Sequence, residues 1–157
     1  MRETEGVDSL KRIQIYNVTR FFSSKRCSEL QEIQLYHCEI PEETMKALAM
    51  KACSTLERIT VYGGKATQIN SMLGMCEHVK VVSFEQNAMG VLNESRTIKI
   101  AVIAGMKGVI DLTIKCSDET ILKIIIQSCL DLIRLHLGDL DQIKRIQHLI
   151  PSHIQLI

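Results

Sequence analysis

Six segments of this chain open on an aliphatic residue and carry apolar residues again at their fourth and sixth positions. They begin at Leu10, Leu30, Leu56, Val79, Val109 and Leu132. The fourth and sixth positions read Ile13/Ile15, Ile33/Leu35, Ile59/Val61, Val82/Phe84, Leu112/Ile114 and Leu135/Leu137, without one polar exception. Alternation over so short a span is the period of a half-buried strand, and the β-branched bias fits a strand as well. The openings recur every 20 to 30 residues, close to the roughly 20–29 of leucine-rich repeats. A unit this small cannot bury its own apolar face, so units must stack. The expected fold is therefore α/β: a leucine-rich-repeat solenoid of about six repeats, a right-handed β–α superhelix with a parallel sheet on its concave side. One domain is expected over residues 1–157, with no second domain.

Between the strands the apolar spacing becomes helical. Ile40-Pro41-Glu42-Glu43 opens a helix, with proline in the first turn and carboxylates where the helix dipole favours them. Met45, Leu48, Ala49 and Ala52 form its apolar face. Thr67 to Cys76 predicts a shorter helix carrying Ile69, Met72 and Leu73. Ser117-Asp118-Glu119 starts another, with Ile121, Leu122, Ile125 and Ile126 apolar. Asp139 to Ile150 predicts a last one, with Leu140, Ile143, Ile146, Leu149 and Ile150 inward and Pro151 as the stop. Residues 88–108 fit a buried helix better than an extra strand. Residues 153–157 read as a final strand with Ile154 and Leu156 inward.

In a stacked sheet, the residues flanking each inward pair point into solvent. The first three units supply Arg12, Gln14 and Tyr16, then Glu32, Gln34 and Tyr36, then Arg58, Thr60 and Tyr62. All three tyrosines of the chain thus share one phase. Tyrosine and arginine are favoured at interfaces, so these nine residues are the candidate protein-binding face. A tyrosine ladder also stabilises a sheet by cross-strand packing, and the two roles are compatible. Later units place Val81, Ser83 and Glu85, then Asp111, Thr113 and Lys115, then Arg134 and His136, in the same columns. The aromatic half of the face is N-terminal and the polar half C-terminal.

Composition narrows the partner class. With 19 basic against 18 acidic residues, the chain lacks the basic surplus that nucleic acid or an anionic membrane requires. No apolar stretch is long enough for a membrane helix, and residues 1–9 are charged rather than signal-like. The expectation is an intracellular protein, cytoplasmic or nuclear. Cys27, Cys53, Cys76 and Cys129 each stand three residues before an opening. Cysteines recurring at one phase behave as small buried hydrophobes, and free thiols are expected rather than disulfides. No phosphate loop, GxGxxG or HExxH occurs, Gly63-Gly64 reads as a turn, and no histidine joins cysteines at zinc spacing. Neither catalysis, a cofactor nor a metal is expected.

Residues 27–62 reach a family. Cys27-Ser-Glu-Leu30-Gln-Glu-Ile33-Gln-Leu35-Tyr-His-Cys38-Glu-Ile40 through Cys53-Ser-Thr-Leu56-Glu-Arg-Ile59-Thr-Val61 resembles the cysteine-containing leucine-rich repeat. That pattern has a cysteine before the opening leucine, a second after the strand and an isoleucine entering the helix. The resemblance is looser elsewhere and covers most of residues 10–157. It implies the solenoid of F-box proteins, which recruits substrates to a cullin-type ubiquitin ligase, although the residues ahead of Leu10 hold no F-box. The leading expectation is a non-catalytic protein-binding module, a substrate-recognition segment of that kind. The alternatives are the repeat segment of an innate immune sensor or other scaffold and, from another class, a cysteine-dependent hydrolase. The apolar ends of the repeat array lead us to expect a fragment of a longer protein, end-to-end association, or a cap supplied by another domain.

Overall fold

A computed structural model of the chain describes residues 11–15, 28–37, 40–63, 69–85, 105–115, 118–138 and 140–157. Tyr16, Leu10, Cys27, Cys38, Cys116 and the segment 88–104 lie outside the described residues. The strands are β1 (Arg12–Ile15), β2 (Glu32–Tyr36), β3 (Arg58–Tyr62), β4 (Val81–Glu85), β5 (Asp111–Thr113), β6 (Arg134–His136) and β7 (Gln155–Leu156). They form one seven-stranded sheet in chain order, and every neighbouring pair is parallel. The described helices are α1 (Glu42–Ala52), α2 (Asn70–Met75), α3 (Glu119–Ser128) and α4 (Leu140–Ile146), the last continuing into a 3-10 turn over Gln147–Leu149. Crossovers of one hand between strands in sequential order put their connections on one side of the sheet. The other side keeps the alternate residues.

The repeat extends to the backbone hydrogen bonds. Gln31 and Glu32 both donate to the Lys11 carbonyl, and Glu57 and Arg58 both donate to that of Gln31. The same paired donation recurs from Lys80 and Val81 to Glu57, from Ile110 and Asp111 to Lys80, and from Ile133 and Arg134 to Ile110. Strands β2 to β6 therefore enter the sheet through the same junction, two residues after the opening position. That common entry keeps the side-chain columns aligned.

Each helix forms where local chemistry permits. Pro41 caps α1, and its carbonyl accepts from Thr44 and Met45, so the missing proline N–H costs nothing there. Asp118 caps α3, its carboxylate accepting from the Thr120 and Ile121 amides at 2.8 and 3.3 Å. Met45, Leu48, Ala49 and Ala52 of α1, Met72 and Leu73 of α2, and Ile121, Leu122 and Ile125 of α3 are buried. They join the strand residues of the inward phase in one core, which includes Leu30, Leu56 and Phe84. The opening residues Val79, Val109 and Leu132 take part as well. Their amides donate to the carbonyls of Cys76, Met106 and Cys129, so Met106 fills the cysteine phase in the fifth unit.

Leu140 departs from expectation: it is 76% exposed instead of inward. As the first residue of α4, it projects toward the N-terminal end, beyond the core layer. Ile146 is buried, whereas Ile143, Leu149 and Ile150 are partly buried against the core. The final strand forms as expected, with Ile154 buried and Leu156 partly so. Helix α2 occupies Asn70–Met75, with Ile69 buried just before it. Of the expected Thr67–Cys76 helix, Thr67 and Gln68 lie outside the described residues.

Candidate binding face of the sheet

Register settles the columns. Arg12, Glu32, Arg58, Val81, Asp111, Arg134 and Gln155 stand opposite one another in turn across the sheet. So do Gln14, Gln34, Thr60, Ser83, Thr113 and His136. Beside them Tyr36 pairs with Tyr62, and Tyr62 with Glu85. Eight of the nine expected binding-face residues therefore share one surface, and Tyr16 lies outside the described residues.

The tyrosine rings stack with centroids 4.3 Å apart and planes 6° from parallel. The centroid spacing nearly equals the ~4.8 Å between strands, so the pairing of β2 with β3 itself creates the stack. Both tyrosines are half-buried.

Around this stack runs a hydrogen-bond network. Arg12 donates from Nε to Glu32 Oε2 at 2.8 Å and from Nη2 to Oε1 at 3.0 Å, a two-point contact that orients both groups. Gln34 Nε2 donates to Glu32 Oε1 at 2.6 Å. Because a carboxylate can only accept, this contact fixes which way the Gln34 amide points. Gln34 Oε1 then accepts from Gln14 Nε2 at 2.8 Å and from the Tyr36 hydroxyl at 2.9 Å. Burial pushes the Glu32 carboxyl up, but hydrogen bonds from Arg12 and Gln34 and the charges of Arg12 and Arg58 outweigh it, leaving the pKa lowered. The Arg12 pKa rises, chiefly through its hydrogen bond to Glu32.

A second cluster lies on β5 and β6. Arg134 Nε donates to Asp111 Oδ2 at 2.7 Å, and His136 Nε2 stands 3.1 Å from Asp111 Oδ1. These three residues are absent from the nine-residue candidate face, yet the signal was present, since Asp111 and Arg134 are opposite charges in one column. Among the described residues no hydroxyl or thiol is hydrogen-bonded to the His136 imidazole. Between the clusters, the Ser83 hydroxyl donates to Glu85 Oε1 at 2.6 Å.

The described cysteines sit apart from this face. Cys53, Cys76 and Cys129 are free thiols, the last two buried. Burial pushes the Cys76 and Cys129 thiols up to about 11, which keeps them protonated and unreactive near neutral pH. Among the described residues no group of histidine, cysteine and acidic side chains could hold a metal, and no helix is long and apolar enough to cross a membrane. No family model, curated protein or solved structure matches the chain.

Proposed function

We propose that this chain is a non-catalytic protein-binding module, a leucine-rich-repeat-like solenoid that receives its partner on the concave face of the sheet. One observation carries this reading. The half-buried Tyr36–Tyr62 stack is flanked on the same face by the ordered Arg12–Glu32–Gln34 network. Rigid aromatic area beside pre-oriented charge is the composition that concentrates binding energy at interfaces. The network holds its side chains before any partner arrives, which lowers the ordering cost of association. The cysteine-containing repeat pattern over residues 27–62 supports the substrate-recognition variety of this role, serving a cullin-type ubiquitin ligase.

Site-specific photo-crosslinking in cell extract tests the reading. A photoreactive residue replacing Thr60, on the sheet face, is expected to capture a discrete protein that the same residue replacing Lys123, on α3, does not. Capture from Lys123 alone would move the site to the helices. Cullin-ligase components among the products captured through Thr60 would support the substrate-recognition variety, and their absence would remove it.

A further inference from the structure

The stack has a polarity that its two rings alone do not reveal. With near-parallel rings 4.3 Å apart on adjacent strands, the ring normals run across the strands. One face of Tyr62 is covered by Tyr36, so its other face points toward β4, where the register position is held by Glu85. An aromatic face carries negative quadrupolar density. The free π-face of Tyr62 and the Glu85 carboxylate are therefore neighbours of like sign at one register position, and a cation seated on that ring face beside Glu85 would satisfy both.

The other described carboxylates of this face have cations. Glu32 is paired with Arg12, and Asp111 with Arg134 and His136. Glu85 has none within 4.0 Å among the described residues and accepts from the Ser83 hydroxyl, which steadies it without neutralising it. Lys115 follows in the same column, but its stem lies over Gly138, where an added Cβ would stand 3.4 Å from Lys115 Cε. That is the β6 side, away from Glu85. Glu85 and Tyr62 are both half-buried, so part of each remains exposed to solvent.

We infer that the free face of Tyr62 together with the neighbouring Glu85 carboxylate is a subsite for an arginine side chain of the protein partner, an inference that rests on the binding role of this face. The planar guanidinium would stack on the free face of Tyr62 while its N–H groups meet the Glu85 carboxylate. The partner is thus a protein presenting an exposed arginine, and the flanking Arg12–Glu32 pair, already neutral, leaves Glu85 as the discriminating charge.

The chain has three tyrosines and no tryptophan, so 13C-labelled tyrosine rings give a spectrum simple enough to follow one ring by NMR. The probe is an acetylated, amidated Gly-Ser-Arg-Ser-Gly peptide, with the neutral citrulline peptide as control. Saturable shifts of the Tyr62 ring are expected with the arginine peptide. Glu85→Gln should weaken that binding about twofold to fivefold, as should citrulline, whereas Glu119→Gln on α3 should not. Tyr62→Leu should abolish it; should that variant fail to fold, Glu85→Gln and citrulline still decide. Equal binding of the two peptides, an unchanged affinity for Glu85→Gln, or a silent Tyr62 ring would overturn the subsite. A silent ring in a protein whose partner still maps to the sheet face would sink the subsite alone. Arginine binding at Tyr62 with no partner on that face would keep the subsite and remove the broader role.

Discussion

Gln34, the one polar side chain buried among the described residues, accepts a hydrogen bond from Gln14 across the β1–β2 boundary at 2.8 Å. At 8% exposure it is the hub of the face, joining Gln14, Glu32 and Tyr36 through a single amide. Replacing it with leucine keeps the volume and strips all three partners. Since those partners lie at the surface and can turn to water, Gln34→Leu should cost about 1–2 kcal/mol. Gln14→Leu, at an exposed position, should cost less. Urea unfolding of both variants checks the order.

Glu32 gives the fold a defined response to acid. Its pKa is lowered from the ordinary 4.5, so the folded state holds the charged form more tightly than the unfolded chain does. That stabilisation is complete above the ordinary value and is lost as pH falls through the lowered folded value. Wild type should therefore exceed Glu32→Gln in Tm at neutral pH, and the gap should close from about pH 5 downward. A gap independent of pH would show that packing, not charge, ties Glu32 to its neighbours.

The strand exits impose a backbone constraint. Gly63 follows Tyr62 with φ of 67°, and a Cβ there would run into the His37 imidazole of the preceding unit. Gly63→Ala should destabilise by about 1–2 kcal/mol from the left-handed conformation alone. Gly74, inside α2, has nothing within 4 Å of an added Cβ, and Gly74→Ala should stabilise by about 0.4–1 kcal/mol. Thermal unfolding of the two alanine variants should move Tm in opposite directions.

Burial predicts an order of thiol reactivity. Cys76 and Cys129, raised to about 11 by burial, should resist alkylation of the native protein at neutral pH, and partly buried Cys53 should react before either. Peptide-level mass spectrometry of a timed iodoacetamide reaction reads that order. Rapid labelling of Cys76 or Cys129 would show that the helix–strand corners open in solution.

Much of this arrangement was legible from side-chain period. The alternating pairs placed every described strand, and apolar residues at helical spacing identified the buried face of α1 residue by residue. Leu140 was not legible, because an apolar residue at a helix start satisfies the helical period whether or not a core layer reaches it. Gln34 was not legible either. It shares its column with exposed Gln14, and what buries it is the convergence of Glu32 and Tyr36 from its own strand with a neighbour 20 residues away. The Asp111–Arg134–His136 cluster was legible in part: the repeat phase put Asp111 and Arg134 in one column, but the reach of His136 from the next column to the same carboxylate is seen only in the assembled sheet.

Binding at the sheet face is tested most directly by capturing the partner on matched variants, both verified as folded by circular dichroism. One carries Tyr36→Ala with Tyr62→Ala, and the other Lys46→Ala with Lys123→Ala on α1 and α3. Loss of the wild-type partner from the tyrosine variant, with its retention by the lysine variant, is the expected result. Retention by the tyrosine variant would contradict it.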